Sequence, residues 1–314
     1  MFTIGIDIGG MSIKFGIVNE NGKILAQSRI KPAKTAVDGV NEMIAEVKRL
    51  IIENKISMSE IKGVGVGCPG TVDNKAGIVE GLHNLGWERI EIVSIMSNAL
   101  GVPIKLVNDA SAATLAEVIY GAAKDYEEVI MFTLGTGVGG GMVVGGKLYD
   151  GGWERGGELG HTTLILGGKP CNCGRNGCVE KYVSATALIE QTKEAMLENK
   201  DSSMWIFVDG DINKVDGRTA FECSKQGDKT ANKVIDKYVS YLAESMMNMF
   251  NIFRPQAFIL GGGVSAAGKY LTDKVKAYCE KYNYGYANAP KTEILIATLG
   301  NDAGIIGAAA LFNS

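Results

Sequence analysis

The sequence predicts an α/β protein made of two similar lobes, and three observations carry that expectation. Short β-branched runs ending in glycine alternate with longer segments of helical periodicity. A succession of strand, glycine turn, strand, tight turn with Gly-Lys and strand occupies 2–29 and returns at 129–149. Each copy is followed by further apolar strands leading into helices. A repeat of that length is too long for a solenoid and suits a duplicated domain.

Residues 2–10 form a β-rich run that ends in Gly9-Gly10, and 13–18 form a second strand. Asn21-Gly22 is a two-residue hairpin signal, so 23–29 becomes the third strand. Helical periodicity covers 37–54; apolar strands follow at 63–66 and 104–107, the second leading through Asn108-Asp109 into an Ala-rich helix to residue 123. In the second copy, the strand 129–134 runs into Gly135-Thr136-Gly137-Val138-Gly139-Gly140-Gly141, and 142–144 resumes as a strand. Helices are expected at 179–199, 229–251, 269–282 and 303–312, and strands at 257–260 and 293–297.

The chain has 314 residues, 46% of them apolar and 21% charged, the composition of a globular protein. A net charge of −3 offers no basic surface for nucleic acid or an anionic membrane. No apolar run reaches the ~20 residues of a membrane span. Asp7 interrupts the first apolar stretch, which argues against a secretory signal. Three of six cysteines crowd into Cys171-Asn172-Cys173-Gly174-Arg175-Asn176-Gly177-Cys178, while Cys68, Cys223 and Cys279 lie in strand or helix patterns. That distribution fits a reduced, cytoplasmic protein with one metal site better than a disulfide framework.

The densest chemistry lies between Gly157 and Glu180. His161 with Cys171, Cys173 and Cys178 supplies four soft or borderline ligands, suited to tetrahedral Zn²⁺, and a filled ligand set makes the zinc structural. Glu158 and Glu180 flank those ligands and are acceptors for the hydroxyls of a polar substrate. Asn84, in Gly81-Leu82-His83-Asn84-Leu85-Gly86-Trp87, offers both donor and acceptor, although alone it reads as a loop residue. Three glycine turns follow strands: Gly9-Gly10 after Asp7, Gly135-Thr136-Gly137, and Gly261-Gly262-Gly263. Each alone is a tight turn; together they point to backbone N–H groups cradling nucleotide phosphates, with Asp7 placed to hold Mg²⁺. None is a Walker loop or a Gly-x-Gly-x-x-Gly helix start. At Asn108-Asp109 two roles stand side by side: a helix N-cap, or a general base that takes a proton from an attacking hydroxyl.

These motifs, in this order and over nearly the whole chain, resemble the ROK family of repressors and sugar kinases. The most specific are Gly157-Glu158-Leu159-Gly160-His161 and the Cys171–Glu180 segment; Cys68-Pro69-Gly70, Asn108-Asp109-Ala110 and Leu260-Gly261-Gly262-Gly263 accompany them. The resemblance implies an actin-like ATPase fold of the hexokinase type, with two lobes around a central cleft: 1–118 with 302–314, and 119–301. It implies Asp109 as the catalytic base and Asn84, Asn108, Glu158, His161 and Glu180 as sugar contacts, His161 touching both sugar and zinc. Asp7, Gly9, Gly10, Ser12 and Lys14 then belong to the first phosphate turn, Gly135, Thr136 and Gly137 to the second, and Gly261, Gly262 and Gly263 to the adenosine turn. Met11 departs from the family pattern, which has Thr there, and Trp153, Glu154 and Arg155 put bulk where small residues are usual.

The expected activity is ATP- and Mg²⁺-dependent phosphorylation of a hexose at its 6-hydroxyl, glucose first, with N-acetylmannosamine, N-acetylglucosamine, allose and fructose as alternative substrates. A homodimer or homotetramer is implied. A sugar-sensing repressor would need a DNA-binding domain ahead of the first strand, which begins at residue 2. An actin-like assembly ATPase has no use for the Cys/His loop with its paired glutamates.

Overall fold

Phe2–Ile8 (β1), Ile13–Val18 (β2) and Ile24–Ile30 (β3) form an antiparallel meander. Ile61–Cys68 (β4) and Ile104–Asn108 (β8) then extend the sheet in parallel, giving the order β3-β2-β1-β4-β8. The computed structural model describes residues 1–82, 85–153, 156–285, 288 and 290–313. It divides into two units: Met1–Glu127 with Gly141–Gly157 and Thr298–Ser314, and Glu128–Gly140 with Glu158–Ala297.

In the first unit the alternation along β1 sorts its two faces. Ile4, Ile6 and Ile8 enter the main core with Val40, Met43 and Val47 of the helix Ala36–Glu53 (α1). Thr35 caps α1 by accepting from the Asp38 N–H. On the other face small residues admit the helix Ala303–Ala310 (α10) at backbone contact. A Cβ on Gly65 would lie 1.8 Å from the Ala308 carbonyl oxygen. The helix Asp109–Ile119 (α3) packs against α10 just as closely, a Cβ on Gly307 meeting the Ala112 carbonyl at 1.8 Å. Between β4 and β8 the chain builds a small antiparallel sheet from Thr71–Asp73 (β5), Ile78–Leu82 (β6) and Trp87–Ile90 (β7), then Ile92–Leu100 (α2). Trp87 is buried and its indole N–H donates to the Ala33 carbonyl.

The second unit carries Val129–Leu134 (β9), Ala257–Gly261 (β12) and Glu293–Ile296 (β13) as neighbouring parallel strands, with Met131, Ile259 and Leu295 in register. Val138–Val144 (β10) begins here and ends in the first unit, where Val143 and Val144 pair antiparallel with Leu148 and Lys147 of Lys147–Leu148 (β11). The second sheet, β11-β10-β9-β12-β13, therefore repeats the connectivity of the first. The helices of this unit are Glu180–Val183 (α4), Ala185–Glu198 (α5), Met204–Phe207 (α6), Thr219–Lys225 (α7), Lys229–Phe253 (α8) and Lys269–Tyr282 (α9). Phe132 of β9 and Phe250 of α8 both meet the Phe258 ring edge-on, at 4.9 and 5.8 Å. Among the described residues no helix is long and apolar enough to cross a membrane.

Candidate active site

The C-terminal ends of parallel strands are where α/β sheets place ligands. In the first unit, β1, β4 and β8 end side by side, Asp7 in register with Gly67 and Cys68 with Asn108. Asp7, Cys68 and Asn108-Asp109 thus share one edge. The Asp7 carboxylate accepts a hydrogen bond from Lys14 Nζ at 3.1 Å, and Lys14 also donates to the Asn301 carbonyl at 3.3 Å. The turn after Asp7 closes by a bond from the Gly9 N–H to the Ser12 carbonyl. Gly10 and Met11 are exposed, Met11 at 92%, so its side chain packs on nothing. Burial, with the Asp109 and Asp7 carboxylates next, pushes the Cys68 thiol up from its ordinary value. It stays a neutral group between two acids.

Asn108 performs the capping. Its Oδ1 accepts from the N–H groups of Ala110 at 2.9 Å and Ser111 at 3.3 Å, and its backbone is extended (φ −63°, ψ 147°). Asp109 is the first residue of α3 and is exposed; its Oδ1 accepts from the Ala110 N–H at 2.8 Å. The amide nitrogen of Asn108 makes no hydrogen bond among the described residues, which leaves a donor beside the Asp109 carboxylate. Asn84 and His83 lie outside the described residues, as do Glu154 and Arg155; Trp153 is 86% exposed.

The second unit presents two glycine turns at the ends of adjacent strands. Gly261 of β12 is in register with Thr133 of β9, so Gly135-Thr136-Gly137 and Gly261-Gly262-Gly263 leave the sheet together. Gly262 takes φ 79°, a left-handed conformation that only glycine adopts freely. The Thr136 carbonyl accepts from Thr186 Oγ1 and the Gly135 carbonyl from the Ala185 N–H, tying the first of these turns to the start of α5. Glu180 opens α4 and its Oε2 accepts from the Val138 N–H at 3.1 Å. Glu158 is exposed and begins the short turn Leu159–His161, with the His161 N–H donating to its carbonyl.

The four expected metal ligands come together. The ligand atoms of His161, Cys171, Cys173 and Cys178 lie within 4.8 Å of one another. His161 Nδ1 is 3.6 Å from Cys171 Sγ, and Cys173 Sγ is 3.6 Å from Cys178 Sγ. Ligands on a tetrahedral zinc with bonds near 2.3 Å stand about 3.8 Å apart, whereas a disulfide would bring the sulfurs to about 2 Å. Burial, then the Cys173 and Cys171 sulfurs, push the Cys178 thiol up to about 12, while hydrogen bonding at the Arg175 backbone foremost holds Cys173 low. These four residues could hold a metal ion, and the donor set fits Zn²⁺. With Nδ1 turned to the sulfurs, the Nε2 of His161 is directed elsewhere. Arg175 locks the loop by donating to the His161 carbonyl and to Thr163 Oγ1. The Val179 N–H donates to the Thr162 carbonyl, which fixes Glu180 two residues after Cys178.

Sequence reasoning did not single out Glu117. It is fully buried on α3, inside a helix pattern that gave no hint of its partners.

Residues 3–314 match the ROK family. A glucokinase of Halalkalibacterium halodurans is 35% identical over 97% of this chain and 92% of its own length; one of Thermotoga maritima is 34% identical over 98% and 96%. A ROK family glucokinase of Streptomyces griseus, solved with glucose and AMPPNP, superposes with a TM-score of 0.82 at 32% identity over 99% of both chains. A ROK hexokinase of Thermus thermophilus gives 0.79 at 28% identity over 98% of this chain and 97% of its own. The fold is that of the actin-like ATPases, as in these sugar kinases.

Proposed function

The chain belongs to the ROK family, and on that premise we propose that it transfers the γ-phosphoryl group of ATP to the 6-hydroxyl of a hexose, glucose foremost. It is an ATP-dependent sugar kinase by its likeness to the glucokinases and the ROK hexokinase. The observation that carries the reading is the row of Asp7, Cys68 and Asn108-Asp109 along three neighbouring parallel strand ends.

Phosphoryl transfer asks little beyond alignment, charge neutralisation and a base for the attacking hydroxyl. Asp109 takes the 6-hydroxyl proton. Asn108 caps the helix with its oxygen and keeps its amide N–H groups for a sugar oxygen; Asn84 supplies a further amide. Glu158, Glu180 and the Nε2 of His161 hold the remaining hydroxyls. Gly9 closes the first turn through its bond to the Ser12 carbonyl; the N–H groups of Gly10 and Ser12, with Lys14, hold phosphate oxygens, and Gly135, Thr136, Gly137 and Gly261 to Gly263 cradle the rest of the nucleotide. Asp7 would hold Mg²⁺, which would supply charge neutralisation for the phosphates. His161, Cys171, Cys173 and Cys178 hold a structural Zn²⁺ whose chemistry is to fix the loop bearing His161 and Glu180. On this reading the protein works in the cytoplasm and assembles as a homodimer or homotetramer, the assembly being what light scattering tests.

N-acetylmannosamine, N-acetylglucosamine, allose and fructose are the competing sugars. A coupled ADP-release assay across these hexoses with Mg²⁺-ATP decides among them: glucose should give the highest kcat/KM. ADP release that is the same with and without every sugar would overturn the kinase reading.

A further inference from the structure

Glu117 is 0% exposed, and among the described residues no lysine or arginine pairs with it. Burying an ionised carboxylate without compensation is costly. Here four donors replace the water. Oε1 accepts from the N–H groups of Thr298 at 2.7 Å and Leu299 at 2.8 Å. Oε2 accepts from Thr298 Oγ1 at 3.0 Å and from the Ala122 N–H at 2.8 Å. Four donors match the acceptor capacity of one carboxylate. Even the neighbouring glycine is committed: a Cβ on Gly121 would stand 2.0 Å from Oε2.

The segment held by those bonds leads to the phosphate turn. Thr298 and Leu299 enter the short turn Gly300–Asp302, and the Asn301 carbonyl accepts from Lys14 Nζ. Lys14 donates to Asp7. Two residues beyond the turn, a Cβ on Gly304 would meet the Asp7 carboxyl carbon at 2.8 Å, so the backbone here lies close against the Asp7 side chain. The other end of the relay is α3, which bears both Glu117 and Asp109. All of these residues belong to the first unit.

We propose that Glu117 is a positioning residue: through the strap 298–304 it fixes the Asp7–Lys14 pair relative to the helix that carries Asp109. This rests on the phosphoryl-transfer reading for its functional consequence, but the mechanical link can be measured without it. The carboxylate is required because a carboxamide has one acceptor oxygen. In Glu117→Gln the amide nitrogen opposes either the Ala122 N–H, leaving the strap on weaker bonds to a neutral acceptor, or the paired amides of Thr298 and Leu299, releasing the strap on that side.

The test follows hydrogen exchange in the full-length protein, wild type against Glu117→Gln. Faster exchange is expected both in 298–304 and in the turn 9–14, with Mg²⁺-AMPPNP binding weakened about tenfold by calorimetry. Where the wild type turns over, KM for ATP should rise more than KM for the hexose. Thr298→Val, which removes one donor at an exposed position, should give the same pattern more weakly. Faster exchange confined to 117–123 and 298–299, with residues 9–14 and nucleotide affinity unchanged, would overturn the proposal and leave Glu117 a local structural residue. A wild type that binds AMPPNP but transfers nothing to any hexose defeats the kinase reading while leaving the exchange comparison decisive.

Discussion

Glu180 Oε2 accepts from the Val138 N–H at 3.1 Å, and Gly137 stands between them with no room for a side chain. A Cβ there would fall 2.3 Å from the same oxygen. The backbone of the second glycine turn and a carboxylate two residues from a cysteine ligand are thus fitted to each other. Gly137→Ala should displace Glu180 rather than unfold the unit, because the carboxylate is half-buried and can swing away. We expect kcat/KM for the hexose to fall by about 10- to 100-fold, the usual consequence of moving a binding group by an ångström. Thermal stability should stay within about 1 kcal/mol of wild type. Unchanged steady-state kinetics would detach Glu180 from substrate.

Asn108 and Asp109 should separate cleanly. Asn108 bears the cap of α3, so Asn108→Ala takes the side-chain acceptor from the Ser111 N–H and one of the two from the Ala110 N–H, and should cost about 1 kcal/mol of stability. Asp109 is exposed and its stabilising share is an interaction with the helix N-terminus, so Asp109→Ala should cost less. The order reverses for turnover: loss of a general base lowers kcat by about 10²- to 10⁴-fold, while hexose binding remains measurable by calorimetry. Parallel denaturation and rate measurements on the two variants check both orders, and a robustly active Asp109→Ala protein would unseat the base assignment.

Much of this was legible because it is written in local signals. Glycine-terminated β-branched runs marked β1, β9 and β12, and the repeated hairpin pattern anticipated the shared connectivity of the two sheets. The crowding of His161 with three cysteines needed only ligand chemistry. What escaped was set by distant contacts or by elements too short for a period. β5, β6 and β7 have three to five residues each. α2 and α7 have no side-chain N-cap to announce them. The stretch read as one helix from 179 to 199 breaks at Ser184, whose hydroxyl caps a new helix by accepting from the Ala187 N–H. The glycines after Val138 resemble a turn yet lie in β10, because a Cβ on Gly140 would strike Leu159 at 2.6 Å. Glu117 was invisible for the same reason: three of its four donors come from Thr298 and Leu299, 181 and 182 residues further along the chain.

The cysteine cluster predicts one zinc per chain. A strong chelator should remove it, lower Tm by about 5 °C or more and abolish turnover, and added Zn²⁺ but not Mg²⁺ should restore both. Because binding displaces thiol protons, zinc affinity should weaken as pH falls. Cys178→Ser should reproduce the chelated state. Elemental analysis that finds no zinc in protein purified without chelator would refute the assignment.

Cys279 gives a stability signature at alkaline pH. It is fully buried on α9, and burial, then Glu244 and Glu280, push its thiol up from 9.0 to about 12. A raised thiol pKa means that the native state keeps a proton which the unfolded chain surrenders. The stabilisation is fully present below about pH 9 and is lost as pH rises toward about 12, at up to about 1.4 kcal/mol per pH unit. Cys279→Ala removes this dependence at the cost of a small cavity. Its Tm should therefore start below that of the wild type at pH 8 and fall less steeply between about pH 9 and 10.5. Parallel Tm profiles for the two proteins across that window would mean that the thiol ionises as readily folded as unfolded.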